Sequence, residues 1–261
     1  HSDSLYEIEE GRAEDDYEDT VLFRKSGLYH NIIVTQCGDS RYMKFRNRGG
    51  THEESVLNLK NPLLLELGYY ELLFAAFAHV PNPESVLFIG LGAGTVPMAI
   101  HTLFPECHVD AVELDPDVVH VARSYFGLKE DERLEVFVRD GRVQVREFVK
   151  EKRTYDIIMI DAFRGGYIPY HLTTMEFLSQ VIALLAENGV IAFNLRPGFS
   201  SYDYQVRTIA RAFRNSWRYG NGAVVIVADM RRERAPYSVL RRAAIDVRNS
   251  TGITFDLPRI V

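Results

Sequence analysis

The stretch Ser85 to Asp115, SVLFIGLGAGTVPMAIHTLFPECHVDAVELD, constrains this chain more than any other, because it reads as strand, glycine turn, helix and second strand in succession. Ser85 to Ile89 is a short apolar β-type run. It ends at Gly90-Leu91-Gly92-Ala93-Gly94, where the glycine spacing lets the backbone turn tightly and approach a ligand closely. The predicted helix opens at Thr95 and carries Pro97 in its first turn, where a missing N–H costs nothing. Ala99, Ile100, Leu103 and Phe104 form its apolar side. The next strand, Val109 to Leu114, presents Glu113 at its carboxyl end, roughly 20 residues past the glycines, where a carboxylate reaches both hydroxyls of a ribose held over the turn.

A glycine turn alone also fits a tight turn in an unrelated α/β protein. Strand, turn, helix and acid together point to a nucleoside-containing ligand. The dinucleotide pattern G-x-G-x-x-G needs its third glycine where Thr95 stands, whereas here it comes one position earlier, at Gly94. The arrangement resembles the adenosylmethionine-binding turn of class I methyltransferases and their relatives more than an NAD site.

At 261 residues and 46% hydrophobic content, the chain suffices for one full-sized core with a small appendage. A formal charge of -6 gives no electrostatic case for a nucleic-acid partner. No run of about 18 apolar residues predicts a membrane span. No signal-peptide pattern opens the chain, and Cys37 and Cys107 are its only cysteines, so the expectation is a cytoplasmic protein with free thiols.

Residues 1–20 are strongly acidic and predict a solvated, flexible arm. Residues 21–60 predict a small antiparallel sheet, from β-like runs at Leu28 to Thr35 and Arg41 to Arg46 around the turn Cys37-Gly38-Asp39-Ser40. Residues 61–261 predict the main domain. It opens with a long amphipathic helix over 61–80, whose stripe is Leu64, Leu67, Leu72, Leu73, Phe74, Phe77 and Ala78, with Tyr69 and Tyr70 within it. After Asp115-Pro116 starts the next helix, strands are expected at Leu134 to Val138, Asp156 to Ile160, Val190 to Asn194 and Ala223 to Ala228. Helices between them run through Phe148, through Phe177 to Leu185, and over Tyr204 to Phe213. This rhythm predicts an α/β fold, Rossmann-like, with a doubly wound and mostly parallel sheet.

In such sheets ligands sit at the carboxyl ends of the strands. Gly90 to Gly94, Glu113, Asp140 with Gly141, and Asp161 all fall there. Each acid singly also suits a helix cap or a turn. Taken together they make a site: Asp140 for an adenine amino group, Asp161 where the reacting end of the ligand would lie.

From about Tyr29 to Ala228 the sequence resembles the polyamine aminopropyltransferases, the spermidine synthase family. The similarity is carried by Ile89 to Thr95, Val112-Glu113-Leu114-Asp115, Asp140-Gly141, Tyr155-Asp156-Ile157-Ile158 leading to Asp161, and His171 to Phe177. The early hairpin and Tyr69-Tyr70-Glu71 match the family's amino-terminal sheet and its gatekeeping helix. Val112 to Asp140 and Ile168 to Phe177 look especially like the bacterial branch often fused to a transporter-like membrane region.

The resemblance implies transfer of an aminopropyl group from decarboxylated S-adenosylmethionine to a small amine, without a metal, in a homodimer. It casts Asp161 as the carboxylate that helps deprotonate the attacking nitrogen, Glu113 as the ribose ligand and Asp140 as the adenine ligand. Tyr69 and Tyr70 would line the amine channel. Two positions depart from the family. Ala93 stands where the family carries an aspartate facing the donor's ammonium, and Arg164 stands where a second acid follows the catalytic one. An aspartate there would repel the carboxylate of intact S-adenosylmethionine by about 1 to 4 kcal/mol at contact, so Ala93 leaves the donor open. Arg164 is expected either to face a carboxylate-bearing acceptor or to point to solvent.

Three functions therefore stand at this stage: an aminopropyltransferase, a methyltransferase using intact S-adenosylmethionine, and a non-catalytic adenosyl-ligand-binding protein. All three need Glu113. Glu113→Ala is expected to weaken methylthioadenosine binding by roughly 1.5–3 kcal/mol; unchanged affinity by calorimetry would place the pocket elsewhere.

Overall fold

The computed structural model describes residues 19–47, 49–163 and 168–261. Four antiparallel strands come first: β1 (Thr20–Ser26), β2 (Asn31–Cys37), β3 (Ser40–Asn47) and β4 (Gly50–Asn58), paired in that order. Two short helices, α1 (Gly68–Leu73) and α2 (Ala75–His79), lead into a second sheet. Its strands are β5 (Ser85–Ile89), β6 (His108–Glu113), β7 (Leu134–Val138), β8 (Tyr155–Ile160), β9 (Leu185–Leu195), β10 (Asn215–Tyr219) and β11 (Val224–Asp229). The connecting helices are α3 (Thr95–Leu103), α4 (Pro116–Tyr125), α5 (Gly141–Glu151), α6 (Met175–Ile182) and α7 (Tyr202–Ala212), and α8 (Tyr237–Thr251) and α9 (Leu257–Ile260) follow.

The seven strands lie in the order β10-β11-β9-β8-β5-β6-β7. The five from β9 to β7 are parallel, while β11 and β10 close one edge antiparallel. From β5 the chain winds outward through β6 and β7, then returns to β8 on the other side, so the topological switch lies between β5 and β8. A ligand crevice opens at such a point.

The central strands are apolar on both faces, as strands covered twice must be. Val86 and Phe88 of β5, with Ile157 and Met159 of β8, face a layer that includes Phe77 of α2, Ile100 of α3 and Ala244 of α8. Leu87, Ile89, Ile158 and Ile160 face Phe148 of α5 and Phe177 and Val181 of α6 on the other side. A third apolar cluster joins the two sheets: Ile32, Val34 and Met43 pack with Val118 and Val121 of α4 and with Ala93 of the glycine turn. Hydrogen bonds stitch the same seam. Ala93 N–H donates to Ser55 Oγ at 3.0 Å, and Thr95 Oγ1 donates to the Val56 carbonyl at 2.9 Å.

Several expected elements differ. The helix expected over 61–80 starts only at Gly68 and is interrupted at Phe74; Leu67 is extended, and Leu64 is 45% exposed. Residues ahead of it are held to the small sheet instead: Asn58 Oδ1 accepts from the N–H groups of Lys60 and Asn61, and Glu66 Oε1 accepts from Ser40 Oγ and Asn58 Nδ2. The strand expected from Leu28 starts at Asn31, because Gly27 N–H donates to the His30 carbonyl and closes a turn that exposes Leu28. Leu185 opens β9 and does not end α6. β1, β4, β10 and α8 had no counterpart among the expected elements. Of the acidic arm, only Asp19 and Thr20 fall among the described residues, and Thr20 already belongs to β1. No helix among the described residues is long and apolar enough to cross a membrane.

Gly90 shows how tightly the switch point is built. Its φ is +97°, and a Cβ there would stand 2.4 Å from the Asp161 carbonyl oxygen. Gly90→Ala is therefore expected to destabilise the fold by about 1–3 kcal/mol from backbone strain alone, read as a lowered denaturant midpoint. Gly222→Ala, in open space at an ordinary φ, should stay within about 0.5 kcal/mol of wild type.

Candidate active site

The ends of β5 and β8 are held in step, since Asp161 N–H donates to the Ile89 carbonyl at 2.8 Å and Gly90 N–H donates to the Val112 carbonyl at 2.9 Å. Above them lies a cavity of about 330 Å³. The parallel sheet supplies one wall through the glycine turn, Glu113, Asp140, Gly141 and Asp161. The small sheet and α1 supply the other through His30, Phe45, Glu54, Ser55, Tyr69 and Tyr70.

Glu113 is buried at the end of β6 with both carboxylate oxygens engaged. Oε2 accepts from Leu91 N–H at 3.0 Å and Oε1 from Asp115 N–H at 2.9 Å. Burial raises its pKa, and the two N–H groups oppose that shift. Asp115 caps α4 through Asp117 N–H and pairs with His30 Nδ1 at 2.9 Å. His30 stacks on Phe45 at 4.2 Å, so Glu113 is connected to the small sheet through Asp115 and His30.

Asp140 caps α5, its Oδ1 accepting from Val143 N–H at 3.0 Å, while Oδ2 lies 3.4 Å from His171 Nε2. Gly141 follows as the first residue of α5, where a Cβ would come within 2.9 Å of Ile89. Asp161 accepts a 2.8 Å hydrogen bond from Asn194 Nδ2 on β9. Burial pushes its pKa up to about 7; the Asn194 bond and the Arg196 charge pull it down, and the Glu54 charge pushes it up again. A carboxyl tuned to that range exchanges a proton near neutrality.

Tyr69 and Tyr70 meet edge to face at 4.6 Å. Tyr69 OH donates to the Glu54 carbonyl at 3.1 Å, and Tyr70 OH accepts from Val56 N–H at 3.3 Å. Burial raises both phenol pKa values, and the Asp161 charge adds to it.

Gly90, Gly92, Glu113, Asp140, Gly141, Asp161, Tyr69 and Tyr70 thus line one cavity. Ala93 and Gly94 do not. The Ala93 side chain is wholly buried in the apolar cluster between the sheets, and a Cβ on Gly94 would meet Leu128. Arg164 lies outside the described residues. Sequence reasoning missed the wall contributed by the small sheet: His30 sits in a turn, and Glu54 follows the polar run Thr51-His52-Glu53, which carries no apolar alternation.

A model of the spermine/spermidine synthase domain matches residues 66–214. The polyamine aminopropyltransferase of Vibrio vulnificus (strain CMCP6) is 33% identical over 198 residues, covering 75% of this chain and 66% of that protein. The eEF1A lysine and N-terminal methyltransferase of Xenopus laevis is 33% identical over 164 residues, 55% of this chain and 24% of that protein. The chain thus spans just under two thirds of the first relative and about a quarter of the second. A crystal structure of spermidine synthase in complex with the transition state analogue AdoDATO superposes with a TM-score of 0.68 at 19% identity, over 95% of this chain and 99% of that one, which is a likeness of fold. With the domain matching more than half of its length, the chain belongs to the spermine/spermidine synthase family.

Proposed function

We propose that the chain transfers an aminopropyl group from decarboxylated S-adenosylmethionine to a small amine. The observation that carries this is the charge of the cavity wall. Four carboxylates line it, Glu54, Glu113, Asp140 and Asp161, and no lysine or arginine does so among the described residues. Such a wall favours ligands that are wholly cationic. Decarboxylated S-adenosylmethionine brings a sulfonium and an ammonium, and an amine acceptor brings more positive charge.

In this proposal the adenosine lies over the glycine turn, with its ribose at Glu113 and its adenine at Asp140 and Gly141. The Asp140 carboxylate, though it caps α5, keeps one oxygen toward His171 and the cavity. The sulfonium then falls between the glycine turn and Asp161. The amine enters beside Tyr69 and Tyr70. Its nitrogen lone pair attacks the aminopropyl carbon bonded to sulfur; the C–S bond breaks, its electrons stay on sulfur, and methylthioadenosine leaves as a neutral thioether. The nitrogen's proton passes to Asp161. Holding both reactants in line supplies much of the rate.

Methyl transfer from intact S-adenosylmethionine is the alternative, favoured by the similarity to the Xenopus methyltransferase and by Ala93, which brings no acid to the glycine turn. Because Ala93 packs toward the small sheet and does not line the cavity, its small size opens no space for a donor carboxylate. Mass spectrometry of products separates the two: methylthioadenosine from decarboxylated donor is expected, and adenosylhomocysteine from intact donor would overturn the proposal.

Asp161→Asn keeps size and the Asn194 contact geometry while removing the base. kcat should fall by at least about 10²-fold with donor affinity nearly intact; wild-type turnover would exclude the role. Asp161 is protonated below about pH 7 in the free protein and cannot then accept a proton, so kcat/KM should rise with pH through that value. The bound sulfonium favours the carboxylate, so the corresponding limb in kcat should lie at lower pH. A wild-type kcat/KM without that acid limb would remove Asp161 as the base.

A further inference from the structure

From Val190 to Leu195, β9 is apolar except at Asn194. That residue is 1% exposed, and its partner in register on β11, Val225, is wholly buried. Asparagine is a poor strand former, and an amide shut away from water costs free energy unless it is bonded. The bond it makes accounts for its presence: Nδ2 donates to Asp161 Oδ1 at 2.8 Å. The sheet sets this meeting. Phe193 pairs with Ile160 across β9 and β8, so the residues that follow, Asn194 and Asp161, stand level on neighbouring parallel strands. Both are fixed at that height, since Asp161 N–H donates to the Ile89 carbonyl and Asn194 lies within the ladder between β9 and β11.

The consequence falls on the two oxygens of the Asp161 carboxylate. Oδ1 is taken by the amide, while Oδ2 accepts no hydrogen bond among the described residues and belongs to a side chain that lines the cavity. A carboxyl held at one oxygen does not turn freely about its Cβ–Cγ bond, so the same oxygen is offered to a ligand each time. The amide also favours the ionised form, because it donates to it. Charged and titratable groups reach Asp161 from three elements. Arg196, just past the end of β9, lowers its pKa and Glu54 of β4 raises it, while burial keeps the phenols of Tyr69 and Tyr70 on α1 protonated.

We propose that Asn194 is a positioning residue for the reaction: by holding Oδ1 of Asp161 it presents Oδ2 to the attacking nitrogen, whose proton passes there as the N–C bond forms and the C–S bond breaks. This rests on the aminopropyl-transfer proposal, with Asp161 as the base, and adds the group that aims that base and keeps it ionised. Asn194 acts through Asp161 and itself takes no proton.

The test is the pH dependence of kcat/KM in wild type and two variants. Asn194→Leu keeps the size and loses the donor; Asn194→Asp keeps the shape and sets a second carboxyl against the first. Without the bond Asp161 stays protonated to higher pH, so the acid limb, at about pH 7 in wild type, should move up by at least about one unit in Asn194→Leu and further in Asn194→Asp. Above its limb, Asn194→Leu should still turn over about 10- to 100-fold more slowly than wild type, the effect of a misplaced base. Calorimetric affinity for methylthioadenosine should not move, which also shows that the variants are folded. An equal loss at every pH, with the limb unmoved in a variant that binds methylthioadenosine, would reduce Asn194 to packing. A raised KM for the amine with the limb unmoved would make it an acceptor ligand. Either result overturns the positioning role while leaving aminopropyl transfer intact. Absence of methylthioadenosine from wild type with every amine would instead remove aminopropyl transfer itself, and the positioning role with it.

Discussion

The buried carboxylate of Glu113 is the interaction on which the rest of the structure depends. An ionised carboxyl in an apolar setting is expensive unless its oxygens are occupied, and here one takes the Leu91 N–H of the glycine turn and the other the Asp115 N–H at the start of α4. Three consequences follow from this one group. The glycine turn is tied to the end of β6, α4 is aimed at the small sheet, and Asp115 is left facing His30. Removing the acid therefore acts on more than one contact, because two backbone N–H groups donate to it.

From there the order extends outward in two directions. Toward the parallel sheet, the ends of β5 and β8 meet so closely at Gly90 and Asp161 that a side chain does not fit between them, which fixes the relation between the glycine turn and Asp161. Toward the small sheet, Ser55 and Thr95 bind the glycine turn to β4. The cavity is thus a seam between two sheets, and the apolar cluster of Val34, Met43, Val118 and Val121 behind it carries the packing that keeps the seam shut.

Much of this was legible in the sequence, and unevenly so for physical reasons. Val86 to Ile89 of β5 and Ile157 to Ile160 of β8 are buried on both faces, so they read as unbroken apolar runs ended by Gly90 and by Asp161; the chain has few other ways to use such segments. Asp115-Pro116 announced α4 for a local reason, the cap and the preset φ. The elements that were not legible owe their form to distant contacts. β4 opens with Gly50 and five polar residues, Thr51 to Ser55, and exists because β3 pairs with it. β10, with Asn215, Ser216 and Arg218 in five residues, is an edge strand held by β11. The segment before Gly68 has a helical pattern of leucines, yet Asn58 and Glu66 hold it to the small sheet. Glu54 is illegible for the same reason as β4, and Ala93, expected at the donor through the family resemblance, turns its side chain into the cluster between the sheets, a direction that the sequence of a turn does not state.

The division of the cavity between two sheets also bears on how such a protein can change over evolutionary time. The half proposed to hold a nucleoside is made by residues on whose backbone contacts the parallel sheet relies, so drift there damages folding. The half proposed to meet the acceptor is made by side chains of β4 and α1; the Glu54 carbonyl is held by the Tyr69 hydroxyl whatever side chain stands at position 54, whereas the two tyrosines are tied in by their own hydroxyls. Exchange at position 54 leaves that bond in place. One scaffold of this kind can keep its glycine turn while successive lineages alter the side chain that stands opposite it.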